Sequence, residues 1–357
     1  MKKSLKNSLK QNEDVEMKKK MNKSIEEINN DISNLSFESY RSTQIYGWIV
    51  KGAESFGEMR NIPKKLMDLL NDKYYIPSVK IKTKKVSKDS TVKYLFELQD
   101  GQLIEAVVMK YVHGYSMCLS TQAGCKMGCA FCVTGKGGFN RNLLPSEMIA
   151  QIQIAQKDLN IRISNIVLMG MGEPLDNYDN VLKFLELVSS ENHLNIGMRH
   201  ISLSTCGIVD KIYDLSNKNI PLTLSISLHA PNDEIRNQIM RINKKWNVSE
   251  LIDACKFYLN RGGRRISFEY TMIENVNDMT ECANELAQLL KGMLCHVNLI
   301  PLNEASNSSA FRSSSKSRIY SFQSILQKHG INATVRRTLG KDIDAACGQL
   351  RAKSEGK

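Results

Sequence analysis

Cys125, Cys129 and Cys132 follow one another at the spacing C-x3-C-x2-C. Three thiolates at this spacing can hold three of the four irons of a [4Fe–4S] cluster. Because no fourth cysteine follows nearby, one iron stays open to a non-protein ligand, which indicates chemistry rather than electron storage. A tetrahedral zinc ion would need a further pair of ligands at short spacing, and His113 and Cys118 are poorly placed to supply it. The remaining alternative is that three buried cysteines cluster by chance.

The cysteine spacing resembles the signature of the radical S-adenosylmethionine (SAM) enzymes. In that superfamily the amine and carboxylate of the methionyl group bind the open iron, and an electron from the cluster cleaves the cofactor to a 5′-deoxyadenosyl radical. The resemblance implies one [4Fe–4S] cluster and SAM as cofactors. It does not define the substrate.

Small and polar residues follow several predicted strands, where ligands of parallel α/β folds gather. The candidate cofactor contacts are Gly172, Glu173, Ser204, Ser227, Leu228, His229 and Asn303. A glycine lets the backbone approach a ligand, and Glu173 can accept hydrogen bonds from the ammonium group of the cofactor. Taken alone, the Gly-Glu pair is a weak signal, and His229 is equally consistent with a structural histidine.

The elements that must position these residues alternate between strand and helix patterns. Strands are predicted at Lys93–Leu98, Leu103–Met109 and Ser116–Ser120, and then at Ile166–Met169, Ile201–Ser204, Leu222–Leu228, Ile266–Met272, His296–Ile300 and Ala333–Arg336. Such alternation predicts parallel strands with helical crossovers. We therefore predict an α/β fold, a partial (β/α)6 radical SAM barrel that is open on one side, with a small N-terminal helical domain.

The composition fits one large globular unit with a smaller one, since 42% of the 357 residues are hydrophobic. No run of about 18 apolar residues could span a membrane, and the N-terminus has no apolar signal core. Nine cysteines, three of them in one motif, favour a reducing compartment over a disulfide framework. We expect a cytoplasmic protein.

Basic residues outnumber acidic ones, with 49 Lys and Arg against 37 Asp and Glu and a net charge of +12. This excess suggests a polyanionic partner, and nucleic acid is the leading candidate. A basic surface that is merely solvated is the alternative. The same two alternatives apply to Lys80, Lys82 and Lys84, which alternate with other residues in a predicted strand.

Five segments are predicted along the chain. Residues 1–27 carry eight lysines and five acids and are expected to form a flexible basic extension. Apolar residues recur at helical spacing in residues 28–76, which we predict to be a small RNA-binding accessory domain. Residues 77–112 are a linker and β-rich extension, residues 113–351 the core barrel, and residues 352–357 a tail.

Several motifs together resemble those of the bacterial rRNA/tRNA adenine C2-methyltransferases. Besides the cysteine triad they are Cys118-Leu-Ser-Thr-Gln-Ala-Gly-Cys125, Gly138-Phe-Asn-Arg-Asn-Leu143, Gly170-Met-Gly-Glu-Pro-Leu175, Ser225-Ile-Ser-Leu-His229 and Asp342-Ile-Asp-Ala-Ala-Cys-Gly-Gln-Leu350. The likeness runs from about Ser36 to Arg351. Pro174 favours this family over the related Cfr methyltransferases, which act at C8 of the same rRNA adenosine and in which we expect alanine here. C8 methylation stays the alternative among enzymes, and a redox-sensing iron–sulfur RNA-binding protein is the alternative outside them.

The resemblance implies separate roles for three residues. Cys347 takes a methyl group from one SAM molecule, and the radical from a second SAM molecule removes hydrogen from that methyl group. The resulting methylene radical adds to C2 of the adenine, giving a covalent protein–RNA adduct. Cys118 resolves the adduct by forming a disulfide with Cys347. Glu105 matches the family position assigned as proton acceptor, and the alternative for this strand residue is a cross-strand salt-bridge partner.

The resemblance also implies substrates and partners. The substrates are an adenosine in the peptidyl transferase centre of 23S rRNA and the adenosine 3′ to the anticodon in tRNAs. The electron would come from a reducing partner such as flavodoxin or ferredoxin. The expected protein is a monomer that does not contact membranes.

Overall fold

The computed structural model describes residues 19–20, 25–303, 311–345 and 350. Cys347, the tail at residues 352–357 and most of the predicted basic extension lie outside these residues. No helix in the described part of the chain is long and apolar enough to cross a membrane.

Most of the described strands belong to one sheet. In chain order the strands are β1 (Lys19–Lys20), β2 (Tyr74–Tyr75), β3 (Val79–Val86), β4 (Val92–Leu98), β5 (Leu103–Tyr111), β6 (Gly114–Cys118), β7 (Gln122–Gly124), β8 (Phe139–Asn142), β9 (Ile163–Leu168), β10 (Ile201–Thr205), β11 (Thr223–Ser227), β12 (Ile266–Met272), β13 (Cys295–Pro301) and β14 (Ala333–Val335). Ten of them form a sheet in the order β14-β13-β12-β11-β10-β9-β6-β5-β4-β3. The pairs β1–β2 and β7–β8 stand apart from it.

Helices connect the parallel strands. The described helices are α1 (Ile25–Asn34), α2 (Tyr40–Val50), α3 (Lys64–Lys73), α4 (Val133–Lys136), α5 (Pro145–Leu159), α6 (Tyr178–Ser189), α7 (Val209–Ser216), α8 (Asp233–Ile239), α9 (Val248–Asn260), α10 (Thr280–Leu289) and α11 (Lys316–Lys328). Helix α5 begins at Pro145, because a proline at the first helical position loses no hydrogen bond. Glu147 supports this helix start by accepting a hydrogen bond of 2.8 Å from the backbone N–H of Leu144.

The sheet has a parallel part and an antiparallel part. Strands β6 and β9 to β14 pair in parallel, and consecutive parallel strands are joined by crossover segments. Strands β3 to β6 pair antiparallel and extend the same sheet. In the described residues the edge strands β3 and β14 do not pair with each other, so the sheet stays open. The predicted α/β fold with an open, partial barrel is confirmed.

Two hydrophobic clusters stabilise the chain. The larger one contains the parallel strands, and β12 is buried along its whole length, as expected for a strand covered on both faces. The smaller one joins α1, α2 and α3 through Ile28, Ile45 and Leu66. The Gln153 side chain of α5 donates to the carbonyl oxygens of Ile49 and Val50 and so connects the two parts. The RNA-binding role of the helical part stays a prediction.

Candidate active site

A chamber of about 160 Å³ opens at the carboxyl ends of the parallel strands. We call it the strand-end chamber. Its lining includes most of the predicted cofactor and cluster residues: Cys125, Cys129, Cys132, Gly172, Glu173, Ser204, Ser227, His229 and Asn303. Leu228 does not line it, because its side chain is fully buried in the core. The fold thus brings together residues that are almost 180 positions apart in sequence.

The three cysteines lie on a loop between β7 and α4, and neighbouring segments hold this loop. The N–H of Ala130 donates to the carbonyl oxygen of Ile239, at 2.9 Å. Gly128 has φ +65, and a Cβ atom there would lie 3.0 Å from the Arg241 side chain. A larger residue would therefore be strained and crowded at this point of the loop.

The donor set fits a polynuclear cluster. Burial raises the pKa of Cys125 to about 12, and burial together with the neighbouring Cys132 and Cys125 raises the pKa of Cys129. Thiolates are the ligand form, so a positive partner in contact with Cys125 and Cys129 would favour the deprotonated state that binds metal. A [4Fe–4S] cluster supplies several irons for separated thiolates.

The Gly172-Glu173 pair is built into the chamber wall. Gly172 has φ +105, and a Cβ atom there would lie 2.6 Å from the side chain of Gln122, so only glycine fits. The Glu173 carboxylate accepts hydrogen bonds from the backbone N–H groups of Cys206, at 2.7 Å, and Leu175, at 3.0 Å. Burial still raises the pKa of the Glu173 carboxyl. Its predicted contact with the cofactor stays a prediction.

His229 is held in one orientation beside the cysteine loop. Its φ is +58, its Nδ1 accepts a hydrogen bond of 2.9 Å from Thr271 N, and its ring packs edge-on against Phe131. Burial, with a smaller contribution from Arg236, lowers the pKa of His229 to about 3. The ring is therefore neutral near pH 7, and its proton is on Nε2 because Nδ1 accepts. This arrangement makes His229 a hydrogen-bond donor in the chamber wall.

Arg236 is a structural residue that the sequence analysis missed. Its side chain is fully buried. The guanidinium donates to the carbonyl oxygens of Cys206 (2.7 Å), Leu228 (3.1 Å) and Ser227 (3.2 Å). It therefore ties together the ends of β10 and β11. Burial lowers the pKa of Arg236, while nearby Cys206 and Cys129 oppose that effect.

Cys206 is a fourth cysteine in the chamber lining, although it is far from the triad in sequence. Burial and the neighbouring Glu173 raise its pKa well above the ordinary value. Of this strand end only Ser204 was predicted to contact the cofactor, because a single cysteine outside the triad gives no local signal of a role in the site.

Glu105 and Cys118 lie on neighbouring antiparallel strands, outside the chamber lining. Cys118 of β6 is paired with Val107 of β5. Since side chains alternate along a strand, Glu105 shares a face with Val107 and therefore with Cys118. Lys93 Nζ lies 3.0 Å from Glu105 Oε1. The salt-bridge alternative for Glu105 is thus present in the structure, and its role as proton acceptor stays a prediction.

Residues on both sides of Cys347 are anchored near these strands and near the cysteine loop. Lys93 Nζ donates to the carbonyl oxygen of Asp344, at 3.0 Å. On the other side, Thr134 Oγ1 donates to the carbonyl oxygen of Leu350, at 2.7 Å. Thr134 belongs to α4, which begins directly after Cys132.

Comparisons with known proteins show the family to which the chain belongs. Residues 119–290 match the family model described as the radical SAM superfamily. A protein of Clostridium tetani named "Probable dual-specificity RNA methyltransferase RlmN" is 53% identical over 317 residues, covering 88% of this chain and 90% of the relative. A protein of Alkaliphilus oremlandii with the same name is 52% identical, covering 93% of this chain and 96% of the relative. The crystal structure of a radical SAM methyltransferase from Sphaerobacter thermophilus has a TM-score of 0.88 and 40% identity, and covers 93% of this chain and 98% of its own.

Proposed function

Because the chain belongs to the RlmN family of radical SAM RNA methyltransferases, we propose that it methylates C2 of one adenosine in the peptidyl transferase centre of 23S rRNA. We propose the adenosine 3′ to the anticodon in tRNAs as its second substrate. The observation that supports this most is the strand-end chamber, where three loop cysteines meet polar residues from the ends of separate strands.

The described residues fit the cofactors of the family. Cys125, Cys129 and Cys132 would hold the [4Fe–4S] cluster, and the strand-end residues, including Glu173 and His229, would hold SAM. Bound together, the cluster and SAM supply a 5′-deoxyadenosyl radical. A radical is suited to this substrate because the C2–H of adenine is neither acidic nor nucleophilic.

Three further residues have assigned roles in the proposal. Cys347 carries the methyl group to the adenine. The Cys118 thiolate then attacks the Cys347 sulfur, which forms a disulfide as the sulfur–methylene bond breaks, and the released carbon takes up a proton to become the methyl group. Glu105 accepts the proton lost from C2. The shared face of Glu105 and Cys118 supports this division of roles, and so do the anchors at Asp344 and Leu350 on either side of Cys347.

We also propose that a redox protein such as flavodoxin or ferredoxin supplies the electron, that two SAM molecules are used per turnover, and that the enzyme acts as a cytoplasmic monomer. These proposals follow from the family resemblance.

Nucleoside analysis tests the proposed function. Anaerobically reconstituted protein is incubated with SAM, a reductant and either a 23S rRNA fragment or a tRNA, and the digested RNA is analysed by mass spectrometry against authentic methyladenosines. We expect 2-methyladenosine together with 5′-deoxyadenosine and S-adenosylhomocysteine, and neither 2-methyladenosine nor 5′-deoxyadenosine from a Cys129→Ala variant. Finding 8-methyladenosine would contradict the C2 assignment. SAM binding without formation of either cofactor product would contradict catalysis itself.

A further inference from the structure

Strand β12 carries a carboxylate between two strands that carry proposed cofactor contacts. It lies between β11, which ends at Ser227, and β13, which leads to Asn303. Glu269 is the β12 residue paired with Ser227. Its carbonyl oxygen also accepts hydrogen bonds from Leu228 N and His229 N, both at 3.2 Å. Glu269 is therefore directly beside the Ser-Leu-His segment, yet the proposed function gives it no role.

The two oxygens of the Glu269 carboxylate have different surroundings. Oε1 accepts hydrogen bonds from Asn298 Nδ2, at 3.0 Å, and from Ser267 Oγ, at 3.2 Å. Oε2 is buried and receives no hydrogen bond from any residue that the structure describes. Arg336 Nη1 lies 3.7 Å from it, which is close enough for an ion pair but too far for a hydrogen bond. Buried carboxylate oxygens are normally satisfied by donors, so Oε2 is a position for a donor from a ligand.

The contacts at Oε1 fix the direction of Oε2. Asn298 and Ser267 hold one oxygen from the two strands β13 and β12, and the side chain as a whole is only 3% exposed. Glu269 and Arg336 both line the strand-end chamber. The chamber is therefore the open space next to this carboxylate.

The chemistry of SAM limits which of its hydrogen-bond donors could contact Glu269 Oε2. Its three kinds of hydrogen-bond donor are the ammonium group, the two ribose hydroxyls and the adenine amine. The ammonium group is already assigned to the open iron and Glu173. A carboxylate beside a strand end suits a ribose hydroxyl, which is the way that acidic residues of dinucleotide-binding folds hold their ligands. A carboxylate also complements the positive sulfonium.

We propose that Glu269 holds SAM by accepting a hydrogen bond from a ribose hydroxyl through Oε2. This rests on SAM as the cofactor of the proposed function, but it is independent of which RNA atom is methylated. Hydrogen bonds to charged groups are stronger than those between neutral groups. Loss of this bond should therefore weaken SAM binding about 10- to 100-fold.

Equilibrium binding to the reconstituted protein, without RNA, tests the proposal. The ligands are SAM and its 2′-deoxy and 3′-deoxy analogues. Wild-type protein should bind one deoxy analogue about 10- to 100-fold more weakly than SAM. Glu269→Gln should bind SAM more weakly by a similar factor and should no longer distinguish SAM from that analogue. Glu274→Gln, which changes an exposed carboxylate just beyond β12, is the matched control and should behave as wild type.

Two results would overturn the proposal. One is a Glu269→Gln variant that discriminates between SAM and the deoxy analogues as wild type does. The other is a Glu269→Gln variant that binds SAM as tightly as wild type does. Iron content and absorbance show whether the variant retains its cluster. If it does not, the affinities of wild-type protein for SAM and its two deoxy analogues test the proposal, because equal affinity for all three ligands excludes a hydroxyl contact. A failure of the C2 assignment would leave these affinities unaffected.

Discussion

Lys93 Nζ lies 3.0 Å from Glu105 Oε1, and the two side chains are only 11% and 7% exposed. The same Nζ lies 3.0 Å from the carbonyl oxygen of Asp344. One ammonium group therefore links the proposed proton acceptor to the segment that leads to Cys347. In an ion pair this buried, removing one partner leaves the other charge uncompensated.

Replacing Glu105 tests whether this carboxylate has a role besides its ion pair with Lys93. If Glu105 accepts the proton from C2, Glu105→Gln should slow methylation about 100-fold or more, the usual contribution of a general base. SAM affinity should not change, because Glu105 does not line the chamber. Single-turnover methylation of RNA and equilibrium SAM binding measure the two effects. The control is Glu97→Gln, a more exposed carboxylate on the neighbouring strand β4.

The double variant Lys93→Met/Glu105→Gln separates the two explanations. It removes both charges, so a defect caused only by an unpaired Lys93 should disappear. We expect the methylation defect to remain. Recovery of the rate in the double variant would show that Glu105 serves only as a salt-bridge partner.

The lysines of β3 are expected to contribute unequally to RNA binding. Lys84 Nζ lies 2.6 Å from Asp158 Oδ2, and Lys82 Nζ lies 3.5 Å from Glu97 Oε2. Lys80 forms no ion pair with the residues that the structure describes. A lysine that is already paired releases less counterion on binding a phosphate. Lys80→Ala should therefore reduce the slope of log K against log salt by about 0.7 to 0.9, and Lys84→Ala by less.

Fluorescence anisotropy of labelled RNA between 50 and 200 mM salt would measure these slopes, over a range in which phosphate contacts change affinity strongly. Lys256→Ala on α9 is the control, because this exposed lysine lies on a helix of the core. A wild-type slope in all the β3 variants would mean that this face is merely solvated.

His193 should make stability depend on pH. Its ring packs edge-on against Tyr46, and its Nδ1 has no hydrogen-bond partner in the described structure. Burial lowers the pKa of His193 to about 4, below the ordinary value near 6.5. Between these two pH values the unfolded chain binds a proton that the folded chain does not. The contribution of neutral His193 to the free energy of unfolding is therefore complete above about pH 6.5 and is lost as the pH falls towards about 4.

Chemical denaturation of wild type and His193→Gln at pH 7.5 and pH 4.5 would measure this effect. From pH 7.5 to pH 4.5, we expect the wild type to lose about 2 kcal/mol more of its free energy of unfolding than the variant. His329→Gln, which changes an exposed histidine, should lose as much as wild type. An equal loss in wild type and His193→Gln would contradict a neutral, buried His193.

Local patterns were sufficient to predict the strands of the core. They were also sufficient for the cysteine triad, because its ligands are neighbours in sequence. The assignment of Ser227 and His229 to one site followed from a general rule about strand ends. These features depend on short-range periodicity or on chain order, and both can be determined from the sequence without a structure.

Arg236, Cys206 and Glu269 were not predicted, because their environments arise only when distant elements meet. An arginine in a helical pattern normally lies on the surface, yet Arg236 is buried between the ends of β10 and β11. From the sequence alone, a glutamate in a strand is expected to face solvent. In the structure, β11 and β13 lie on either side of Glu269. The continuation of the sheet from β6 into β5, β4 and β3 likewise depends on pairing that no local motif encodes.

The most direct test of the proposed chemistry compares Cys118→Ala with Cys347→Ala on denaturing gels after incubation with RNA and SAM. Loss of the carrier removes the first step, whereas loss of the resolving thiol removes only the last. Cys118→Ala should therefore accumulate a slowly migrating, ribonuclease-sensitive protein–RNA band, and Cys347→Ala should show none. Cys282→Ala, which changes a buried cysteine of α10, should turn over without accumulating the band. A Cys118→Ala variant that turns over normally, or that stays as free of RNA as Cys347→Ala, would contradict the proposed roles of both cysteines.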